Sequence, residues 1–166
     1  MITKEYNFPD FEEILKLEKI ANKEGSGIVA DDLVGYWKFQ YVYKKGTEII
    51  DNISSSLLQI LYASLELKDL CIKDNIPTFE IRNSIKFGIF SIIFSGRANL
   101  KGTRPILPFY FDQLLLKIFN ITLINQSLKI TDPKKMPFFS LIALAENKKW
   151  MCARGKGGGL AIWIKS

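Results

Sequence analysis

The chain has 166 residues, 48% of them hydrophobic and 13% aromatic, with a formal charge of +6 and no histidine. That length supports one domain with a real core, and a charged fraction of 24% argues against a disordered chain. Without histidine, Ser-His-Asp and Cys-His nucleophilic centres and imidazole metal sites are excluded, and neither a metal nor a cofactor is expected.

Residues 10–24 predict a helix. Asp10 can cap it, Glu13 completes a capping box, Phe11, Ile14, Leu15 and Ala21 fall near one stripe, and Gly25 ends it. No signal peptide is expected at the start, because Lys4, Glu5 and Asp10 interrupt any apolar run, and no transit peptide, because its Ser- and Arg-rich character is missing. Asp31-Asp32-Leu33-Val34 reads as a short helical turn feeding a strand that opens at Gly35. From there the period is two: Trp37, Phe39, Tyr41 and Tyr43 alternate with Tyr36, Lys38, Gln40 and Val42. Residues 54–61 fit helix or strand equally, and 63–73 alternate again. Further strands are expected near 78–83, 85–100, 105–118, 120–130, 138–146, 149–154 and 159–165. Turns fall at Asp74-Asn75, Lys101-Gly102, Asp132-Pro133 and Asn147-Lys148. Such spacing predicts a mainly β fold, an antiparallel sandwich or barrel with an N-terminal helix.

Two of these strands are apolar on both faces. In 105–119 one face carries Leu107, Phe109, Phe111 and Leu115, and the other Ile106, Tyr110, Leu114 and Leu116. In 85–94, Ile89 and Ile93 oppose Phe90, Ile92 and Phe94. The N-terminal helix, another protein or lipid must cover the second face, and helix cover is the simplest expectation. The run 85–94 is too short to span a bilayer as a helix and contains Lys86.

Chemistry-bearing patterns are sparse. Gly155-Lys156-Gly157-Gly158-Gly159 lacks Walker A spacing and reads as a turn, with an anion nest charged by Arg154 and Lys156 as the weaker reading. Asp112 lies in an apolar run and needs a partner if buried, with Arg97 or Arg104 the candidates. Cys71 and Cys152 form no CxxC and read as packed thiols, one disulfide being the alternative. The positive charge favours acidic partners, although a composition rich in Lys, Ile and Asn produces the same bias with no function attached. The cations do not form a nucleic-acid stripe. Lys134-Lys135 and Lys148-Lys149 sit at turns, which suits an anionic membrane surface instead.

A Gly-x-Trp that opens a strand, answered by an arginine on a late strand, can seal one end of a small closed barrel. Here these are Gly35-Tyr36-Trp37 and Arg154, with the guanidinium expected across the indole as a cation–π lid. Phe39 and Tyr41 share the phase of Trp37 and are expected to line the interior. Phe87, Ile89, Phe109 and Phe111 are candidates for the remaining wall. The alternative is that all these side chains fill a solid core.

The sequence resembles the plastid-lipid-associated protein (PAP)/fibrillin family in its cyanobacterial form. The likeness rests on Asp32-Leu33-Val34-Gly35-Tyr36-Trp37, on the run from Phe94-Ser95-Gly96-Arg97 to Pro105-Ile106-Leu107, on Phe109-Tyr110-Phe111-Asp112, on Pro137-Phe138-Phe139 and on Ala153-Arg154-Gly155 through Trp163. The tail Gly157-Gly158-Gly159-Leu160 departs from the usual plastid pattern. The resemblance implies a lipocalin-like (calycin-type) barrel over 31–166, preceded by a helix and linker over 1–30. It also implies a cytoplasmic protein peripherally associated with the thylakoid membrane, binding or organising a lipophilic molecule such as a quinone, carotenoid or fatty acid. A chromophore lyase or isomerase on a similar barrel is the enzymatic alternative and needs an Arg/Asp pair, such as Arg97 with Asp112, facing the cavity. A ligand-free scaffold is the third reading.

Overall fold

The computed structural model describes residues 7–52, 63–103, 105–130 and 132–166. The expectation for 54–61 and the Arg104 partner of Asp112 therefore lie outside the described residues. Helix α1 (Phe11–Glu24) begins with the expected capping box. Asp10 accepts from the Glu13 amide at 2.8 Å, and the Glu13 carboxylate accepts from the Asp10 amide at 3.0 Å. Gly25 closes the helix at φ 90°, its amide on the Ala21 carbonyl, and a Cβ there would lie 2.5 Å from the Thr103 carbonyl oxygen. A one-turn helix α2 (Ala30–Leu33) leads into the sheet.

Nine antiparallel strands follow: β1 (Gly35–Tyr43), β2 (Ser64–Lys73), β3 (Ile76–Phe87), β4 (Phe90–Asn99), β5 (Ile106–Ile118), β6 (Ile121–Ser127), β7 (Phe138–Leu144), β8 (Trp150–Gly155) and β9 (Leu160–Lys165). Eight close a hydrogen-bonded ring, β1-β2-β3-β4-β5-β7-β8-β9, and β6 lies outside it on the free edge of β5. All eight ring strands contribute to one buried cluster, which includes Trp37, Leu67, Phe79, Ala98, Leu107, Leu141, Met151 and Trp163. Such a cluster is the interior of the ring. A second cluster, Ile14, Tyr43, Ile142, Ala143, Cys152, Leu160 and Ile162, lies between α1 and the outer face of β1, β7, β8 and β9.

Two sequence expectations are corrected here. The helix covers the outer face on the β7–β9 side rather than the two-faced apolar strands β4 and β5. The strands expected at 78–83 and 85–100 divide elsewhere: β3 runs through Ser84 to Phe87, and the chain turns at Gly88-Ile89, with Gly88 at φ 57°. Ser84 pairs with Ser64 of β2 and Ile93 of β4 in the ladder, and its hydroxyl bonds that of Ser64 at 2.6 Å.

Both cysteines are free. Burial is the main cause that pushes the Cys152 thiol up to about 12, with the nearby Glu18 carboxylate adding to it and Arg154 opposing it. The thiolate is the reactive form, so Cys152 should resist iodoacetamide at neutral pH while half-buried Cys71 is alkylated. Mass spectrometry should then find two modified thiols only after unfolding. Rapid modification of Cys152 in the native protein would contradict this packing.

Candidate functional site

One end of the ring is closed. Trp37 is fully buried, and its indole N–H donates to the Leu33 carbonyl of α2 at 2.9 Å. The cation on its face is Lys165, 5.0 Å from the ring centroid, whose ammonium also donates to the Asp32 carbonyl at 3.0 Å. Gly35 makes room for that side chain: a Cβ at Gly35 would lie 2.6 Å from the Lys165 Cε. Burial holds the Lys165 ammonium below the usual lysine range, with Asp32 opposing and Lys148 reinforcing the shift. Removing one such contact costs about 1 kcal/mol, or roughly 2–4 °C for a chain of this size. Lys165→Ala should therefore lower the melting temperature by that amount, and an unchanged temperature would remove the contact from the energetics.

The other end holds a cavity of about 200 Å³ lined by Phe39, Ala63, Ser64, Leu65, Asn83, Ile85, Phe139 and Trp163. Its wall is aromatic. Trp163 meets Phe39 edge-on at 6.3 Å and Phe139 at 5.4 Å, and Phe139 stacks on Phe109 at 5.1 Å. Asn83 shares the inward phase of Phe79 and Ile81, which brings a carboxamide to this wall. Ser64, by contrast, points its hydroxyl towards Ser84.

The expected site residues divide into four groups. Trp37 and Phe39 face the interior as expected, and so do Phe109 and Phe111, whose rings lie 5.5 Å apart. Tyr41 does not. The β1–β9 register shifts between Phe39 and Tyr41, so the alternation reverses at Gln40. Tyr41 therefore packs outside the ring against Phe8 and Tyr43, where burial, chiefly, pushes its phenol up. Arg154 also points outward, because Met151 and Ala153 hold the inward positions of β8. It forks onto Glu18 of α1 at 2.5 and 2.6 Å and donates to the Gly158 carbonyl at 2.6 Å, so it is not the lid on Trp37. Phe87 and Ile89 lie exposed at the β3–β4 turn, away from the cavity wall.

Of the cavity wall only Phe39 was among the expected site residues; Ala63, Ser64, Leu65, Asn83, Ile85, Phe139 and Trp163 were not, nor was Lys165 at the closed end. Lys165 shares the parity of Trp163 and Ala161 on β9, a signal that was available. Asn83 carried only its type, a lone polar residue among apolar ones.

No family model matches this sequence, and a comparison with curated proteins finds no match. What the site can do rests on its geometry. Among the described residues, the Arg97/Asp112 pair that the lyase reading needs inside the ring is not formed. Arg97 lies on the outward face of β4, in a polar pocket of about 300 Å³ with Lys73, Asp74, Thr78, Lys101 and Tyr110. Asp112 is the extra residue of a β-bulge, and among the described residues no ion pair joins it to Arg97. The charges proposed for a glycine-loop anion nest are also engaged, Arg154 by Glu18 and Lys156 by the Lys135 and Met136 carbonyls. A wider cleft of about 470 Å³ lies outside the ring beside α1 and Trp150. Its acid, Glu13, is already committed to the helix cap.

Proposed function

We propose that this chain is a lipocalin-like barrel that binds a lipophilic molecule with a polar ring head, of the quinone type, at an anionic membrane surface such as the thylakoid. The carrying observation is the Asn83 carboxamide set in a wall of Phe39, Phe139, Trp163, Leu65 and Ile85. Small-molecule sites combine an apolar wall with a few placed polar groups in this way. Size favours a head group over a whole ligand. The cavity of about 200 Å³ is below the roughly 300–1,000 Å³ typical of drug-sized ligands and above the roughly 150 Å³ that holds benzene. A ring fits, whereas a whole carotenoid or acyl chain does not. The tail would leave along the face that continues from Ile85 to Ile92 and Phe90.

Fluorescence titration tests this reading. A short-chain benzoquinone should quench Trp163 saturably, and Trp163→Phe should remove most of the saturable signal. Asn83→Leu keeps the volume and removes a hydrogen bond of about 1 kcal/mol, so affinity should fall about fivefold. Quenching that never saturates, or that is the same in Trp163→Phe, would sink the assignment.

A further inference from the structure

The chain's positive charge is not evenly spread. Between Glu80 and Asp132 there are seven cations, Arg82, Lys86, Arg97, Lys101, Arg104, Lys117 and Lys129, and a single carboxylate, Asp112. That surplus equals the +6 of the entire chain, so the remaining residues balance. The same segment holds β3 from Ile81 onward and all of β4 to β6, and its far end carries the most exposed apolar surface of the described residues. Phe87 is 65% exposed, Phe119 69% and Ile121 67%, with Ile89, Phe90 and Ile124 also exposed.

These side chains form one surface. Phe87 pairs with Phe90, Phe90 with Ile118, and Ile118 with Ile121, so four strands present neighbouring apolar residues on one face. The two hairpin tips are tied together, the Phe119 amide donating to the Ile89 carbonyl at 2.8 Å. Lys86 and Lys117 stand opposite Ser91 on the other face, where their ammoniums can reach past the tips.

We propose that the paired tips, Phe87-Gly88-Ile89-Phe90 and Phe119-Asn120-Ile121, insert into the headgroup region of an anionic bilayer, with Lys86 and Lys117 on the lipid phosphates. This deepens the membrane side of the function proposed above. It moves the contact from the turns at Lys134-Lys135 and Lys148-Lys149 to the opposite strands. Apolar residues rimmed by lysine suit an interface that is greasy beneath and negative above. The rival occupant is a second copy paired along the free edge of β6, whose seven residues are all exposed. The charge opposes it, because two such segments would bring like surpluses together.

Flotation with vesicles of phosphatidylcholine, alone or mixed with phosphatidylglycerol and free of quinone, tests the assignment. The protein should float with the mixed vesicles only, and raised salt should weaken binding. The double variant Phe87→Ser/Phe119→Ser should bind at least about tenfold more weakly, given two aromatic burials lost. Both positions are exposed, so its melting temperature should hold. A Phe119→Trp variant should shift its emission to the blue on the mixed vesicles. Flotation that is absent, or unchanged in the double variant, overturns the proposal. So does a dimer in solution that the double variant dissociates. The double variant is also titrated with the benzoquinone in vesicle-free buffer. Saturable quenching without flotation of the parent protein fails the docking surface alone, and flotation without saturable quenching fails the carrier reading alone.

Discussion

Gly96→Ala is expected to melt about 10 °C below the parent protein, from a steric cost of about 3 kcal/mol. No positive φ is involved at this position. The cause is approach: a Cβ at Gly96 would sit 1.8 Å from the Tyr110 carbonyl oxygen and 2.8 Å from the Phe111 Cα. Both are backbone atoms of the neighbouring strand and cannot rotate away. Gly96 faces Phe111 where the β4–β5 register shifts, and Asp112 is the residue the bulge inserts. Bulged pairs twist strongly and bring backbones close, which leaves no space for a methyl group. Adding one must open the ladder in the middle of the ring. Gly157→Ala is the control, since nothing lies within 4 Å of its added Cβ and its φ is not positive. It should melt within about 1 °C of the parent, as surface substitutions do. Equal melting of the two variants would mean that β4 and β5 separate freely at the bulge.

The bulges also explain which parts of the fold were legible in the sequence. Period-two alternation located β1 and, at 63–73, β2, and turn signals set off the later strands expected near 78–83, 105–118, 138–146, 149–154 and 159–165. The capping box at Asp10 and Glu13 and the stop at Gly25 carried the helix, whose signals are local. Alternation says nothing about where its phase resets. At Gln40 a shift sends Tyr41 outside while Phe39 stays in, and at Asp112 another turns Leu114 rather than Leu115 to the side of Phe94. A single inserted residue reverses every side chain beyond it, and no residue type at these two sites announces the insertion. The same blindness displaced Arg154. Its parity with Cys152 and Trp150 is visible, but which parity faces inward depends on the partner strands. Asn83 was missed for a related reason: it falls at the end of the expected strand 78–83, and only the partner strands show that its side faces a cavity.

Arg154→Ala should be the most damaging single loss of a charge, at about 2–3 kcal/mol. Its consequence lies at the helix and not at Trp37. The guanidinium presents a planar fork to Glu18 and a further donor to the Gly158 carbonyl. The Glu18 bond, more than any other influence, holds the guanidinium above the usual arginine range, while burial opposes it. The pair is mostly shielded, with 27% of the arginine side chain and 15% of the glutamate exposed. Truncating Arg154 strands that carboxylate against the sheet, where an unpaired charge is costly. The fully buried version of this loss costs about 3–5 kcal/mol, and residual solvent access at both groups lowers the figure here. Arg154→Lys should recover less than half of it, because an ammonium cannot bond both carboxylate oxygens in the fork geometry. The double variant Glu18→Ala/Arg154→Ala should be more stable than the sum of the two singles predicts, with a coupling of about 1–3 kcal/mol. Helix α1 should also become a trypsin target at Lys16, Lys19 and Lys23 before the ring unfolds, since this ion pair is its polar tie to β8. A strictly additive cycle, or cleavage of α1 no faster than in the parent, would leave the apolar contacts of Ile14 and Ala21 as what fastens the helix to the sheet.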